Sequence, residues 1–183
     1  MLQTLQNLDW TILEGIRNIF GCKFLDALMP IITRLGDAGL IWIAAGLVLI
    51  ATKKYRRNGV MLLCALLCGV LIGNVALKHL IARSRPCWIR TDVPMLIAVP
   101  KDYSFPSGHT LSSVIGAYML TAANKKFGWA AIPLAALIGF SRLYLYVHFP
   151  SDVLAAAVFG IAIGMAVTGA LKAISKGQSA KIK

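Results

Sequence analysis

The feature that most constrains the fold is a series of apolar runs too long and too poor in charge for a water-soluble core. Residues 59–81 and 153–173 each reach the ~20 residues that an α-helix needs to cross a bilayer, and 39–51, 108–123 and 127–146 are runs of the same kind. Only 14% of all residues are charged, against about 25% in soluble domains. We therefore predict an all-α fold, a polytopic transmembrane helix bundle with five clear spans.

The N-terminal region has a different pattern. Over residues 5–20, apolar side chains recur at helical spacing and charged residues interrupt them, which favours an amphipathic helix lying in the membrane interface. We therefore predict an interfacial helix over residues 1–23. Residues 24–37 are short and mixed, and they leave open whether this region supplies a sixth span. Residues 1–183 would then form one membrane domain, with 174–183 as a basic cytoplasmic tail.

The charge distribution predicts an orientation. The net charge of +12 would suggest nucleic acid for a soluble protein. Here the basic residues form short clusters between apolar runs, which indicates contact with anionic lipid head groups and no nucleic-acid partner. One face carries ten basic residues and no acidic one: Lys53, Lys54, Arg56, Arg57, Lys125, Lys126, Lys172, Lys176, Lys181 and Lys183. The positive-inside rule makes this face cytoplasmic, so the long loop 84–107 and the turn at His148 face outward.

The four cysteines carry little chemical information. Cys64 and Cys68 lie one helical turn apart in an apolar run and are interpreted as packing residues. No C-x-x-C motif occurs, which argues against a zinc ribbon or a thioredoxin-type site. A disulfide between Cys22 and Cys87 is left open, because the sequence does not set their separation.

Charged groups in or near membrane spans indicate function by default, and a first cluster ends the run 59–81. Lys78 and Arg85 lie seven residues apart, so on a continuous helix both would point along one face, and Pro86 would end that helix. Two cations on one face suit an oxyanion. For Arg83 and Arg90 we favour the simpler interpretation of cations that reach the membrane surface from a helix end.

A second cluster opens the run 108–123. Ser107 is a natural N-cap, Gly108 permits close backbone approach, and His109 lies in the first turn of the predicted helix. A helix N-terminus with free N–H groups is an anion site. Taken alone, the cluster is more typical of an ordinary capped helix start.

A third cluster runs from Arg142 through His148 to Asp152. Pro150 predicts a new helix that carries Asp152 in its first turn. A carboxylate there can accept the Nδ1–H of His148 and leave Nε2 as a directed nucleophile or base. The alternative is a capping aspartate beside an interfacial histidine.

All three clusters are predicted on the same membrane face. A rival interpretation is a metal site made of His109, His148 and Asp152. Three neighbouring cations would repel a divalent metal and would hold a phosphate well. These cations are Lys78, Arg85 and Arg142. We therefore predict an anion site with no metal and no other cofactor.

The spaced motifs resemble the three signature motifs of the type 2 phosphatidic acid phosphatase superfamily, which includes membrane lipid phosphatases and soluble vanadium haloperoxidases. They are Lys78-x6-Arg85-Pro86, Pro106-Ser107-Gly108-His109 and Ser141-Arg142-x5-His148-x3-Asp152. All are complete and in order, and the resemblance extends over about residues 24–173. The short chain is similar to small bacterial members, some of which act on undecaprenyl pyrophosphate and others on phosphatidylglycerol phosphate or lipid A.

The resemblance implies a role for each motif residue. His148 would attack phosphorus and carry a phosphohistidine, Asp152 would orient it, and His109 would protonate the leaving oxygen and later activate water. The implied ligands of the phosphoryl oxygens are Lys78, Arg85, Ser107, Gly108 and Arg142.

The function that follows is an integral-membrane lipid phosphatase of the bacterial inner membrane with an outward-facing site. Undecaprenyl pyrophosphate is the favoured substrate. The alternatives in the family are phosphatidylglycerol phosphate or phosphatidic acid and lipid A. A non-enzymatic lipid-binding protein would require degenerate motifs, and the apolar spans disfavour a haloperoxidase. The expected partners are the lipid substrate and the bilayer, and the sequence carries no prediction of an oligomeric state.

Overall fold

The structure is a computed structural model that describes residues 2–181, and every regular element in that range is helical. A 3-10 turn at Asp37–Gly39 precedes the third helix, and a π-helical segment, Val70–Leu77, follows the fourth. The α-helices are α1 Leu2–Phe20, α2 Lys23–Leu35, α3 Leu40–Ala51, α4 Arg56–Gly69, α5 Lys78–Ile81, α6 Pro86–Ile89, α7 Gly108–Ala123, α8 Lys125–Tyr144 and α9 Pro150–Lys181.

Four helical segments are long and apolar enough to cross a membrane: Lys23–Ala51, Arg56–Ile89, Lys125–Tyr144 and Pro150–Ala170. This confirms the predicted all-helical bundle of membrane-capable helices. The remaining predicted span, residues 108–123, is α7, which has 16 residues, about 24 Å at 1.5 Å per residue, against a hydrocarbon core of about 30 Å. The number of crossing helices therefore stays a prediction.

The first of these segments answers part of what the sequence left open. Residues 24–35 are helical within α2, and the 3-10 turn leads directly into α3. Ala38 and Gly39 adopt left-handed backbone angles there, with φ of 49° and 69°. Two consecutive residues with left-handed angles change the direction of the chain at this turn. Glycine takes this conformation without a steric penalty. As a result Asp37 lies beside the start of α7.

The second segment breaks where the sequence predicted a continuous helix. It runs through α4, the π-helical segment and α5, and it ends at Ala82, whose φ of 46° is left-handed. Arg85 then has an extended backbone, and Pro86 begins α6. The prediction that Lys78 and Arg85 share one helical face, with Pro86 at its end, is therefore wrong. Their side chains still meet, because the chain turns back after Ala82.

Helix α7 lies at the centre of the bundle, packed against α3, α4, α8 and α9. Leu111 and Ile115 are buried in its core. The Trp42 ring of α3 lies so close to α7 that a Cβ atom on Gly116 would be 2.4 Å from it. Close packing against small residues is the main source of helix association in a bilayer, since lipid tails are as apolar as leucine. The contact therefore holds α3 against α7.

Helix α1 packs across one end of α8 and α9. Its buried Leu13 forms a small core with Tyr146 and Phe149, while Leu8 and Ile12 are exposed. The predicted helix over residues 5–20 is thus present and amphipathic. Its location in the membrane interface stays a prediction.

Two remaining predictions concern the cysteines and the tail. Cys22 and Cys87 are both free thiols in the structure, the first exposed and the second buried. Within the predicted tail, the backbone of residues 174–181 continues α9, and residues 182–183 lie outside the described range.

Candidate active site

The three motif clusters converge at one end of the bundle, around a cavity of about 1230 Å³. Six of the eight predicted site residues line it: Lys78, Arg85, Gly108, His109, Arg142 and His148. The other two, Ser107 and Asp152, are fully buried. The structure therefore brings together in space residues that lie up to 74 positions apart in the sequence.

His148 sits in the five-residue connection between α8 and α9 and is 1% exposed. Its Nε2 lies 3.1 Å from Arg85 Nη1. A guanidinium can only donate, so Nε2 is the acceptor and the ring proton is on Nδ1. Burial, together with the charges of Arg85 and Arg142, lowers the pKa of His148 to about 3, although Asp152 opposes the shift. The resting imidazole is therefore neutral, with its Nε2 lone pair on the cavity side.

Asp152 reaches His148 through a third residue. The distance from His148 Nδ1 to Asp152 Oδ2 is 3.7 Å, too long for the predicted direct hydrogen bond. Ser104 lies between them: its Oγ is 3.4 Å from His148 Nδ1 and donates to Asp152 Oδ2 at 2.5 Å. The backbone N–H of Phe149 also donates to Oδ2, at 2.9 Å. Ser104 therefore bridges Asp152 and the imidazole, and the bridge orients the ring of His148.

The two cations of the first motif hold a carboxylate that the sequence analysis did not identify. Asp102 accepts from Arg85 Nη2 at 2.8 Å and also pairs with Lys78. Its partial burial would raise the pKa of Asp102, but the Lys78 hydrogen bond and the two positive charges lower it to about 2. Asp102 therefore binds the two cations, Lys78 and Arg85, that were predicted to hold the phosphoryl oxygens.

Arg142, at the end of α8, is 4% exposed. It donates from Nη1 to Thr33 Oγ1 of α2 at 2.5 Å. Its Nε is buried and has no hydrogen-bond partner among the described residues. A buried, unsatisfied guanidinium donor is costly unless a ligand satisfies it. Arg142 thus has an unused donor, and the residue lines the cavity.

The start of α7 combines helix capping with a second histidine. Ser107 Oγ accepts hydrogen bonds from the backbone N–H and the hydroxyl of Thr110, which confirms its N-cap position. A Cβ atom on Gly108 would lie 2.9 Å from Asn74 Oδ1, so a larger residue here would require the Asn74 amide to move. His109 Nε2 lies 2.9 Å from Asp37 Oδ1. Each histidine of the site therefore has a nearby carboxylate: Asp37 contacts His109 directly, and Asp152 is linked to His148 through Ser104.

Arg83 differs from its interpretation as a cation at the membrane surface. Its guanidinium donates to Asp152 Oδ1 at 2.6 Å and to Asp9 Oδ2 at 2.7 Å. That interpretation is therefore wrong for Arg83. Arg90 is half-exposed and pairs with Asp92 and Glu14.

Several residues of the site escaped the sequence analysis. Asp102 and Ser104 lie within five positions of Ser107, and their proximity to a predicted anion site was the available signal. Asp9 and Asp37 belong to other helical regions, and no local pattern connects them to the histidines. Their roles depend on how the helices pack.

The rival metal set is not assembled. Within residues 2–181, no three His, Cys, Asp or Glu side chains group closely enough to hold a metal ion. The side chains that contact His148 directly are instead a guanidinium, that of Arg85, and a hydroxyl, that of Ser104. These groups suit a tetrahedral oxyanion with negative charge on several oxygens.

A buried histidine in contact with Arg85, in a cavity that Lys78 and Arg142 also line, lies at one end of a bundle of membrane-capable helices, and this arrangement is suited to binding an oxyanion. Residues 59–175 match the PAP2 superfamily. The chain belongs to this superfamily, and it is a multi-pass membrane protein of a phosphatase family.

Individual relatives agree with this assignment. The chain is 31% identical to an undecaprenyl-diphosphatase of Sulfolobus acidocaldarius over 158 residues, 83% of this chain and 76% of the relative. It is 32% identical to phosphatidylglycerophosphatase B of Bacillus subtilis over 170 residues, which cover 86% of this chain and 73% of the relative. Its structure matches the crystal structure of a transmembrane PAP2-type phosphatidylglycerolphosphate phosphatase from Bacillus subtilis, with a TM-score of 0.76 and 29% identity. The match covers 93% of this chain and 88% of the other.

Proposed function

We propose that the protein hydrolyses a phosphate from a lipid pyrophosphate, most consistently undecaprenyl pyrophosphate, through a phosphohistidine on His148. The observation that carries this proposal is the junction of two environments in one cavity. Its polar end holds His148 and the cations, and apolar side chains of α4 and the π-helical segment, such as Leu63, Leu67 and Val70, also line it. A lipid phosphate has the same two parts.

The proposed reaction has two displacements. His148 Nε2 attacks phosphorus, the bond from phosphorus to the lipid oxygen breaks, and His109 donates a proton to that oxygen. Water, deprotonated by His109, then attacks the phosphohistidine and releases inorganic phosphate. Asp152 stabilises the positive imidazole through Ser104. General acid–base assistance of this kind contributes about 10²- to 10⁴-fold.

The phosphoryl oxygens would be held by the three cations, by the Gly108 N–H and by the end of α7 that Ser107 caps. Asp102 would release Lys78 and Arg85 as the substrate enters. Phosphoryl transfer depends mainly on positioning and charge stabilisation. Lys78, Arg85 and Arg142 supply three positive charges where a magnesium ion would otherwise be needed, which supports a metal-independent reaction.

Support for the pyrophosphate comes from the relatives named undecaprenyl-diphosphatase. Relatives named phosphatidylglycerophosphatase B and lipid A 4'-phosphatase support the alternative, a phosphatase for phosphatidylglycerol phosphate, phosphatidic acid or lipid A. A purely lipid-binding protein is less consistent with a neutral histidine facing cations. We further propose that the site faces outward from a bacterial inner membrane, with the ten-cation face and the C-terminus in the cytoplasm.

The test is phosphate release by the purified chain in detergent, in excess EDTA, from a panel of undecaprenyl pyrophosphate, phosphatidylglycerol phosphate, phosphatidic acid and lipid A. We expect the highest kcat/KM for the pyrophosphate and a trapped phosphoenzyme in wild type but not in His148→Ala. A higher kcat/KM for a phosphomonoester would establish the alternative. Loss of activity in EDTA with rescue by Mg²⁺ would contradict metal independence.

A further inference from the structure

Arg83 lies between α5 and α6, and its side chain contacts a different group of residues from those bound by Lys78 and Arg85. It follows Ala82, whose left-handed backbone ends α5, and its guanidinium stacks 4.2 Å from the Phe149 ring. From there Nη1 donates to Asp152 Oδ1 at 2.6 Å and to Ser151 Oγ at 2.7 Å. Arg83 therefore contacts the side of Asp152 that faces away from His148.

The contact between Arg83 and Asp152 matters because it balances the charge of a buried carboxylate. Asp152 is completely buried, and a buried carboxylate needs a counterion. His148 is neutral at rest and cannot serve. Arg85 is engaged by Asp102 and Val147. Among the described residues, Arg83 makes the close ion pair with Asp152.

Arg83 is itself held by α1. Its Nη2 donates to Asp9 Oδ2 at 2.7 Å and to Gln6 Oε1 at 2.8 Å. Asp9 is 2% exposed. It also accepts from the Ser151 backbone N–H at 2.9 Å and from the Ser151 hydroxyl at 2.6 Å. One α1 carboxylate thus fixes both the counterion of Asp152 and the residue that precedes Asp152.

We infer that Asp9, acting through Arg83, is a positioning residue for Asp152, so that helix α1 is part of the active site although it lies outside the PAP2 match at residues 59–175. The inference rests on the proposed role of Asp152 behind His148. A displaced Asp152 would leave the imidazole poorly oriented and its positive form less stabilised. Substrate binding, which depends on Lys78, Arg85 and Arg142, would be left intact.

The first test compares Asp9→Asn with Glu14→Gln in the full chain, using the lipid that wild type hydrolyses fastest. Both are isosteric changes on α1, and Glu14 forms an exposed ion pair with Arg90. We expect Asp9→Asn to lower kcat by about 10- to 100-fold, by analogy with residues that hydrogen-bond to metal ligands and orient them, with KM changed by less than about twofold. Glu14→Gln should keep wild-type values. Equal kinetics for the two variants would overturn the inference.

A double-mutant cycle separates positioning from a general loss of stability. Arg83→Gln should lower kcat at least as much as Asp9→Asn, and Asp9→Asn should cause a smaller loss in the Arg83→Gln background than in wild type, because only its hydrogen bonds with Ser151 are then left to change. Multiplied losses would mean that Asp9 does not act through Arg83 and would overturn the inference. The cycle compares the effect of Asp9→Asn on kcat with and without Arg83, so it tests the inference even if Asp9→Asn also lowers the unfolding temperature. A different best lipid from the one proposed changes only the substrate of the assay.

Discussion

At the scale of single residues, Asp102 is the least expected member of the site. It holds Lys78 and Arg85 through a side chain that is 54% exposed, so the carboxylate can leave without unfolding its surroundings. A phosphoryl group would compete with it for the same donors. This competition makes the affinity of the site for phosphate measurable through one substitution.

Asp102→Asn should therefore tighten phosphate binding. A half-exposed ion pair contributes up to about 1 kcal/mol, so we expect KM for the lipid, and the inhibition constant of inorganic phosphate, to fall by up to about fivefold. Because the pKa of Asp102 is lowered to about 2, its negative charge is lost only as the pH falls toward 2. The effect should thus be the same at pH 5.5 and pH 8. A raised KM would show that Asp102 supports substrate binding instead.

His109→Ala tests the division of labour between the two histidines. A pyrophosphate releases a lipid monophosphate, a good leaving group, whereas a phosphomonoester releases an alkoxide that needs a proton. We expect the variant to lose more kcat/KM on a monoester than on a pyrophosphate, by about tenfold or more within the range of general acid catalysis. Equal losses on the two lipids would assign His109 a positional or electrostatic role.

At the scale of secondary-structure elements, the contact between α3 and α7 sets the position of the second histidine. His109 and Asp37 lie at the ends of these helical runs, and the Trp42 ring packs on Gly116 farther along. Trp42 also donates from Nε1 to Ser113 Oγ at 3.1 Å. A wider spacing of the two helices would separate Asp37 from His109.

Gly116→Ala should therefore destabilise the bundle. The added Cβ would lie 2.4 Å from Trp42, and overpacking of this kind costs about 1–3 kcal/mol. Gly169→Ala on α9 is the matched control, since nothing lies within 4 Å of its Cβ position. Thermal unfolding in detergent should give a lower Tm for Gly116→Ala and an equal or higher Tm for Gly169→Ala. Equal Tm values would mean that the helices shift freely.

The helices were predictable from sequence to a greater extent than the connections between them. The bounds of α7 follow from an apolar run and the Ser107 cap, and Pro150 marked the start of α9. The break at Ala82 left no such signal, because alanine favours helix and rarely adopts a positive φ. For this reason the sequence could not show that Arg83 and Arg85, two positions apart, point to opposite sides of His148.

At the scale of the whole molecule, most of the site was predictable because its motifs lie in short segments, whereas the contribution of α1 was not. Asp9 and Asp152 are 143 positions apart, and only the packing of α1 across α8 and α9 joins them. Spacing rules apply within one helix or loop. They carry no information about which distant helix supplies a carboxylate.

The charge asymmetry of the chain predicts its topology. In a variant whose four cysteines are replaced, Thr91→Cys in the long loop should react with an impermeant maleimide added to intact cells. Lys126→Cys, next to the α7–α8 connection, should react only after lysis. Both positions are exposed. The reverse labelling pattern would place the active-site end of the bundle in the cytoplasm.

The Asp102 contact also affects which anions can enter. A carboxylate tethered by the chain acts at an effective concentration, in the millimolar range for short flexible linkers. A water-soluble phosphate must compete with it using its charge alone. The lipid phosphate proposed as substrate would also place its tail against the apolar lining of the same cavity. The tethered carboxylate would then favour anions attached to a hydrophobic chain over the free anions of the surrounding solution.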